Sequence, residues 1–397
     1  MQYPIIYYIA INYTMNYYDE NLEYFVGDMD KFNKKKSKNR RKLEHKNDGK
    51  IMQKNDGKIM QKNDCKIMQK NDGKIMQKNV AKNKHKSRKK LAINNINLYD
   101  KLLECDNIVL CGGGIRCIAL CGAIDFLSEN GMLNNIKRIV GTSAGAIVGL
   151  MLNLGYTCDE INEELELLDN DRIFGSGAIS FLNFPKIIYN LINHLGLNNG
   201  ENFANEIEKL LTNKGYDKNI TFKELYKDTG IELCVIATDI YARECTTFCK
   251  SKTPKVKIID GIRATSCIPL LFYPVEIDGK LYIDGGIYDN FPLSQTSGKT
   301  IGINIHVIDN NEISDSGDIG FFKYMGMLMD MIIVDAGHKS QRKIGDLYNI
   351  NGNAIVFNVS VPKVNIVNFD LPIQEKQKIR HRGYNDIANI ICDDGIL

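Results

Sequence analysis

No stretch of this 397-residue chain reaches the roughly 18 consecutive apolar residues that a membrane-crossing helix needs. The first apolar run, Ile5 to Ile11, is broken by Asn12, Tyr13 and Asn16 and lacks the basic start of a secretory leader. Residues 1–30 therefore read as a tail that rests against a surface. No Cys-x-x-Cys pair occurs and no histidine stands at metal spacing from a cysteine, so the eleven cysteines, an odd number, suggest neither a zinc module nor a disulfide framework. Reduced, mostly buried thiols in an intracellular protein, soluble or peripheral to a membrane, are the expectation, with no metal and no cofactor. The acidic stretch Asp309 to Asp318 lacks the closing glutamate of a calcium loop and reads as a solvated loop.

Aromatic residues are also missing between Phe32 and Tyr99, which disfavours nucleic-acid binding by base stacking there. What fills this interval is positive charge. Residues 31–90 hold 23 Lys or Arg against 5 Asp or Glu, a local +18, so the overall +3 leaves −15 on everything else. Within the basic arm, 31–92, Lys46 to Gln77 is four copies of the octad Lys-Asn-Asp-Gly-Lys-Ile-Met-Gln, with Cys65 in place of glycine in the third. A period of eight matches no helical face, and each unit offers only Ile and Met for burial, so the arm is expected to be disordered. Its readings are peripheral docking on anionic membrane or, less favoured, on nucleic acid by counterion release, and a solvated, duplicated tract with no dedicated partner.

The rest of the chain carries three glycine-rich elements. Ser143 sits in Gly141-Thr142-Ser143-Ala144-Gly145, after the strand-like Ile136 to Val140 and before the helix-like Ala146 to Leu154. A chain that turns this sharply from strand to helix has no room for Cβ atoms two positions either side, and glycine at both flanks relieves the clash. The turn lifts the Ser143 hydroxyl beside the positive end of a helix, which suits a nucleophile attacking a carbonyl. An ordinary turn with an exposed serine is the competing reading.

Upstream, the strand-like Ile108 to Leu110 leads into Gly112-Gly113-Gly114-Ile115-Arg116 and a helical pattern from Ile118 to Leu127. Glycines before a helix start let an anion approach unpartnered amides. Arg116, a cation in the first turn, is expected to serve an anion or a carboxylate. A dinucleotide site is the rival, but position 117 is Cys rather than Gly and no acidic ribose-binding residue follows a second strand. Far downstream, Gly279 to Ile283 reads as a strand ending in Asp284-Gly285-Gly286, the single Asp-Gly-Gly of the chain. An aspartate at a strand end can act as general base for a hydroxyl, or simply cap its own backbone.

Together these elements resemble the patatin-like phospholipase family over about residues 104–300, with Ala237-Thr238-Asp239, Ile262 to Pro269 and Phe272 to Pro292 similar to family segments in the same order. The resemblance implies a three-layer α/β/α fold with a parallel-rich sheet, and a Ser143–Asp284 dyad that cleaves lipid acyl esters through an acyl-serine without a metal. It further implies an oxyanion hole at Gly112, Gly113, Gly114 and Arg116, elbow glycines Gly141 and Gly145, and a base loop at Gly285 and Gly286. Cys117 departs from the family's glycine.

A Ser-Asp-His hydrolase is the enzyme rival, with His306, His338 or His381 as its histidine. Transfer of the acyl group to an acceptor other than water, or an inactive lipid-binding globule, are further alternatives. Asn162 to Leu168, Phe181 to Leu195 and Phe203 to Leu211 carry helical apolar spacing and are expected to line a lipid pocket. Ile231 to Ile240, Ile301 to Ile305 and Ala354 to Val359 read as strands, so residues 301–397 should complete the α/β fold. Phe321 to Val334, rich in Met and Ile, is either core or an interfacial helix.

Overall fold

The computed structural model describes residues 98–175, 184–308 and 353–392, with positions 324, 326–329 and 331–332. The expected tail, the basic arm with its octads, the loop Asp309 to Asp318, His338 and much of Phe321 to Val334 lie outside the described residues. Among the described residues there are ten strands: β1 Asn107–Leu110, β2 Arg138–Thr142, β3 Gly196–Asn198, β4 Glu232–Asp239, β5 Glu244–Phe248, β6 Leu270–Phe272, β7 Val275–Ile277, β8 Lys280–Asp284, β9 Thr300–Ile308 and β10 Ala354–Pro362. Eight of them form one sheet in the order β10-β9-β1-β2-β4-β8-β7, with β5 also on β4. The pairings from β10 through β4 are parallel, and β5, β7 and β8 join antiparallel. The expected parallel-rich sheet flanked by helices is therefore the observed architecture.

β4, buried along its whole length, reads as a near-continuous apolar run because both of its faces are covered. It also organises the sheet. Residues 232–236 pair with β2, and residues 237–239 pair with β8. β5 pairs with 235–239, overlapping both partners, so it occupies one edge of β4 while β2 and β8 lie end to end along the other. Thr142 pairs with Ile236 and Asp284 with the next residue, Ala237. The ends of β2 and β8 thus abut.

The helix Ala144–Asn153 packs its Gly149 over Ile139, Leu110 and Leu233 of the sheet. The helix Ile118–Glu129 crosses the last described helix, Ile373–Cys392, at two glycines. A Cβ on Gly122 would meet the Arg380 carbonyl oxygen at 1.9 Å, and one on Gly383 the Ala119 carbonyl oxygen at 1.9 Å. Only glycine permits that approach. Arg380 donates from Nε to Asp125 at 2.7 Å across the same crossing. Residues after 300 are thus integral to the fold: β9 inserts beside β1, and Ile373–Cys392 covers Ile118–Glu129.

Helix starts differ modestly from the sequence expectation. The helix anticipated at Asn162 begins at Cys158, because Thr157 and Glu160 close a capping box that a search for apolar periodicity does not register. β5 and β7 were not anticipated, and the bounds of the twenty-residue helix Ile373–Cys392 were not marked in the sequence.

Candidate active site

Ser143 occupies the turn between β2 and the helix Ala144–Asn153 with φ 51° and ψ −127°, a positive φ that costs a non-glycine residue energy. Both flanking glycines are required by close approach. A Cβ on Gly141 would lie 2.6 Å from Ala146 Cα, and one on Gly145 would lie 2.3 Å from the Cys111 carbonyl oxygen. The strained turn is held from behind: Ser143 N donates to Thr265 Oγ1 at 2.8 Å, and Thr265 Oγ1 in turn donates to the Ile236 carbonyl. Thr265, fully buried, sits at the end of the helix Ile258–Thr265. Nothing in its local sequence marks it for this task.

Ser143 Oγ donates to Asp284 Oδ2 at 2.7 Å. The second carboxylate oxygen, Oδ1, accepts from Gly286 N at 2.7 Å, so the aspartate caps its own turn and reaches the serine at once. Its backbone is fixed by Asp284 N donating to Cys267 O at 2.8 Å and by Thr238 Oγ1 donating to Asp284 O at 3.0 Å. Gly285 is required where the loop passes β4, since its Cβ would meet the Ile236 carbonyl at 2.1 Å. Asp284 is 2% exposed, and burial raises its pKa from 3.8 to about 6 against the opposing effect of hydrogen bonds from Ser143 and Gly286.

The glycine loop 112–114 commits only part of its amides to backbone partners. Gly112 N donates to Asn290 O at 3.0 Å, and Asn290 Nδ2 returns a bond to Gly112 O at 3.0 Å. The amides of Gly113 and Gly114 meet no acceptor among the described residues, and the same holds for Ala144 and Gly145 at the start of the elbow helix. Gly114, at φ +55°, cannot carry a Cβ, which would overlap the Ile366 carbonyl at 2.0 Å. Gly112 packs within van der Waals reach of Ser143, a Cβ there falling 3.2 Å from Ser143 Cβ.

The structure places Arg116 against the segment that follows β10. Its side chain is 3% exposed, Nε donates to Val364 O at 2.7 Å, and its amide donates to Gly113 O at 3.2 Å. Together with Ile115 N donating to Ile366 O at 3.1 Å, it braces the glycine loop on the segment after β10. One partner of this first-turn cation is a backbone carbonyl 248 residues away, which sequence proximity does not reveal.

Ser143 opens onto a pocket with about 950 Å³ of empty space, part of it continuous with solvent. Its walls include Ile147 and Met151 of the elbow helix, Leu165 and Leu168, Ile207 and Leu210, and an aromatic wall of Phe174, Phe203, Phe272 and Phe369. Phe174 and Phe272 stack with centroids 5.4 Å apart. Charge enters at one place, where Arg172 Nε donates to Glu206 at 3.0 Å and Nη2 lies 3.5 Å from Glu164. Cys117 also lines the pocket, its thiol pushed well above the ordinary range by burial and so neutral. Of the three helical segments expected to form the walls, the first and third do. The described residues of the second do not: in Phe184–His194, Ile188, Tyr189 and Ile192 are exposed, because the helix rests on the small β3–β6 sheet through Asn190 and on Tyr273 through His194.

His306 is exposed on β9, two strands from β2, and His381 is exposed on the last described helix. Among the described residues, no histidine hydrogen-bonds Asp284. No helix of the described residues is long and apolar enough to cross a membrane.

Residues 108–296 match the model of the patatin-like phospholipase family. The chain is 32% identical to an uncharacterized protein, R571, of Acanthamoeba polyphaga mimivirus over 217 residues, 54% of this chain and 68% of that protein. It is 32% identical over 209 residues to 463L of Invertebrate iridescent virus 6, described as a probable lipid hydrolase, covering 52% and 67% of the two chains. Among solved structures, VipD from Legionella pneumophila is similar at a TM-score of 0.45 and 18% identity, over 73% of this chain and 67% of that one. The chain belongs to the patatin-like phospholipase family.

Proposed function

We propose that this protein hydrolyses fatty-acyl esters of phospholipids or related lipids, with Ser143 as nucleophile and Asp284 as its base. The observation that carries the reading is the 2.7 Å hydrogen bond from Ser143 Oγ to a buried carboxylate at the wall of an apolar pocket. An acyl chain fills such a pocket at a gain of about 0.8 kcal/mol per buried methylene, which sets the ester carbonyl against Ser143. As Oγ attacks, its proton passes to Asp284 Oδ2, and a carboxylate whose pKa is raised to about 6 accepts it more readily than a solvated one. The oxygen of the carbonyl becomes an oxyanion facing the unpartnered amides of Gly113 and Gly114 and the positive end of the elbow helix. Collapse of this intermediate returns the proton to the departing alcohol and leaves an acyl-serine. Water, deprotonated by Asp284, then releases the fatty acid and restores the hydroxyl.

The test is to incubate the purified chain and its Ser143→Ala variant with phospholipids, lysophospholipids and triacylglycerols. Free fatty acid from the first and none from the second supports the reading. Equal release from both removes it. His306→Ala separates the rival triad, since under the dyad reading it keeps its activity.

A further inference from the structure

We propose that Glu232, Cys234 and Cys249 form a binding site for a thiophilic divalent cation of the zinc class, on the sheet face opposite the elbow helix. The three ligand atoms lie within 4.8 Å of one another. Their convergence comes from strand register. Glu232 and Cys234 are two apart on β4 and share a face, and Val235 pairs with Phe248 of antiparallel β5, so Cys249 stands directly across from Cys234. Arg138 pairs with Glu232 across β2 and joins the same face.

Two buried atoms in this cluster have no hydrogen-bond partner among the described residues: Glu232 Oε1 and Arg138 Nε. Glu232 is 9% exposed, and its other oxygen lies 3.4 Å from Arg138 Nη1, a long contact for a buried pair. A carboxylate oxygen left bare in such a place is costly, and a cation beside two sulfurs satisfies it. Charge balances as well. Two thiolates and one carboxylate carry three negative charges, which Arg138 and a divalent ion together neutralise. Bonds of about 2.3 Å to sulfur in a tetrahedral site set sulfurs about 3.8 Å apart, inside the 4.8 Å within which these ligand atoms already lie. Two sulfurs and one oxygen select zinc over calcium or magnesium and leave a fourth position for water or Ser251, whose Oγ lies 3.1 Å from Cys249 Sγ.

The full chain, reduced and stripped with chelator, should bind a single Co²⁺ with a thiolate-to-metal charge-transfer band and intense visible bands of tetrahedral coordination, displaced by Zn²⁺. Cys234→Ser and Cys249→Ser should each weaken Co²⁺ affinity by more than about 100-fold, beyond the loss typical of outer-shell partners, while the control Cys105→Ser binds as the parent does. Glu232→Gln, which preserves shape, should keep the charge-transfer band and lose affinity. A parent chain without the band overturns the proposal whether or not the cysteine variants fold. So does a Cys234–Cys249 disulfide in the purified protein, or a band that persists in both serine variants.

Discussion

Asp284→Asn should end acyl transfer and stabilise the fold. The carboxylate is wholly buried, and folding raises its pKa from 3.8 to about 6, so between these values the native state holds a proton that the unfolded chain has released. Stability therefore falls as pH rises through this window and levels off above about 6. The shift corresponds to about 3 kcal/mol of cost at neutral and alkaline pH, at about 1.4 kcal/mol per unit. Asparagine is neutral throughout and keeps an oxygen for Gly286 N and an amide for Ser143 Oγ. Its advantage over the parent should be about 1.6 kcal/mol near pH 5 and about 3 kcal/mol near pH 8, on top of a pH-independent offset from the altered hydrogen bonds. Urea unfolding of both proteins at the two pH values isolates the difference, because the offset cancels and an increase of about 1.4 kcal/mol remains. A gap that stays constant or narrows with pH would refute burial as the cause of the raised pKa. The same carboxylate sets activity, so kcat/KM should rise through about pH 6 and then plateau.

Ser143→Ala should lower ester hydrolysis by at least about 10⁴-fold without loss of folding, as measured by initial rates and circular dichroism. Thr265→Val removes both the acceptor of Ser143 N and the donor to Ile236 O, and should cost about 2 kcal/mol in thermal unfolding together with roughly 100-fold in kcat, with KM little changed. Gly114→Ala should displace the loop from Ile366 and remove most activity, read as a loss in kcat rather than in KM. Gly383→Ala should destabilise the protein by more than about 3 kcal/mol, because the Cβ overlaps a backbone oxygen at 1.9 Å and the two helices must separate; an unchanged melting temperature would contradict the observed crossing.

The local backbone of the site was legible in the sequence. Gly141, Gly145, Gly114 and Gly285 each stand where a single Cβ would overlap a carbonyl or a neighbouring turn, a demand that acts at one position and so is written there. The strand–turn–helix setting of Ser143 and the strand end carrying Asp284 could be read for the same reason. What joins these two residues, 141 positions apart, is not local: it is the shared edge of β4, where β2 stops at Ile236 and β8 begins at Ala237. Pairing register is a property of two distant segments together, and neither records it alone. The burial of Arg116 against Val364, the support of the elbow by Thr265 and the exposure of Phe184–His194 were likewise decided by tertiary packing. The meeting of Glu232, Cys234 and Cys249 follows the same rule, with ligands matched across strands fifteen positions apart where a linear motif search finds nothing. Sequence determined which turns this chain can make; only the assembled sheet decided which side chains those turns bring face to face.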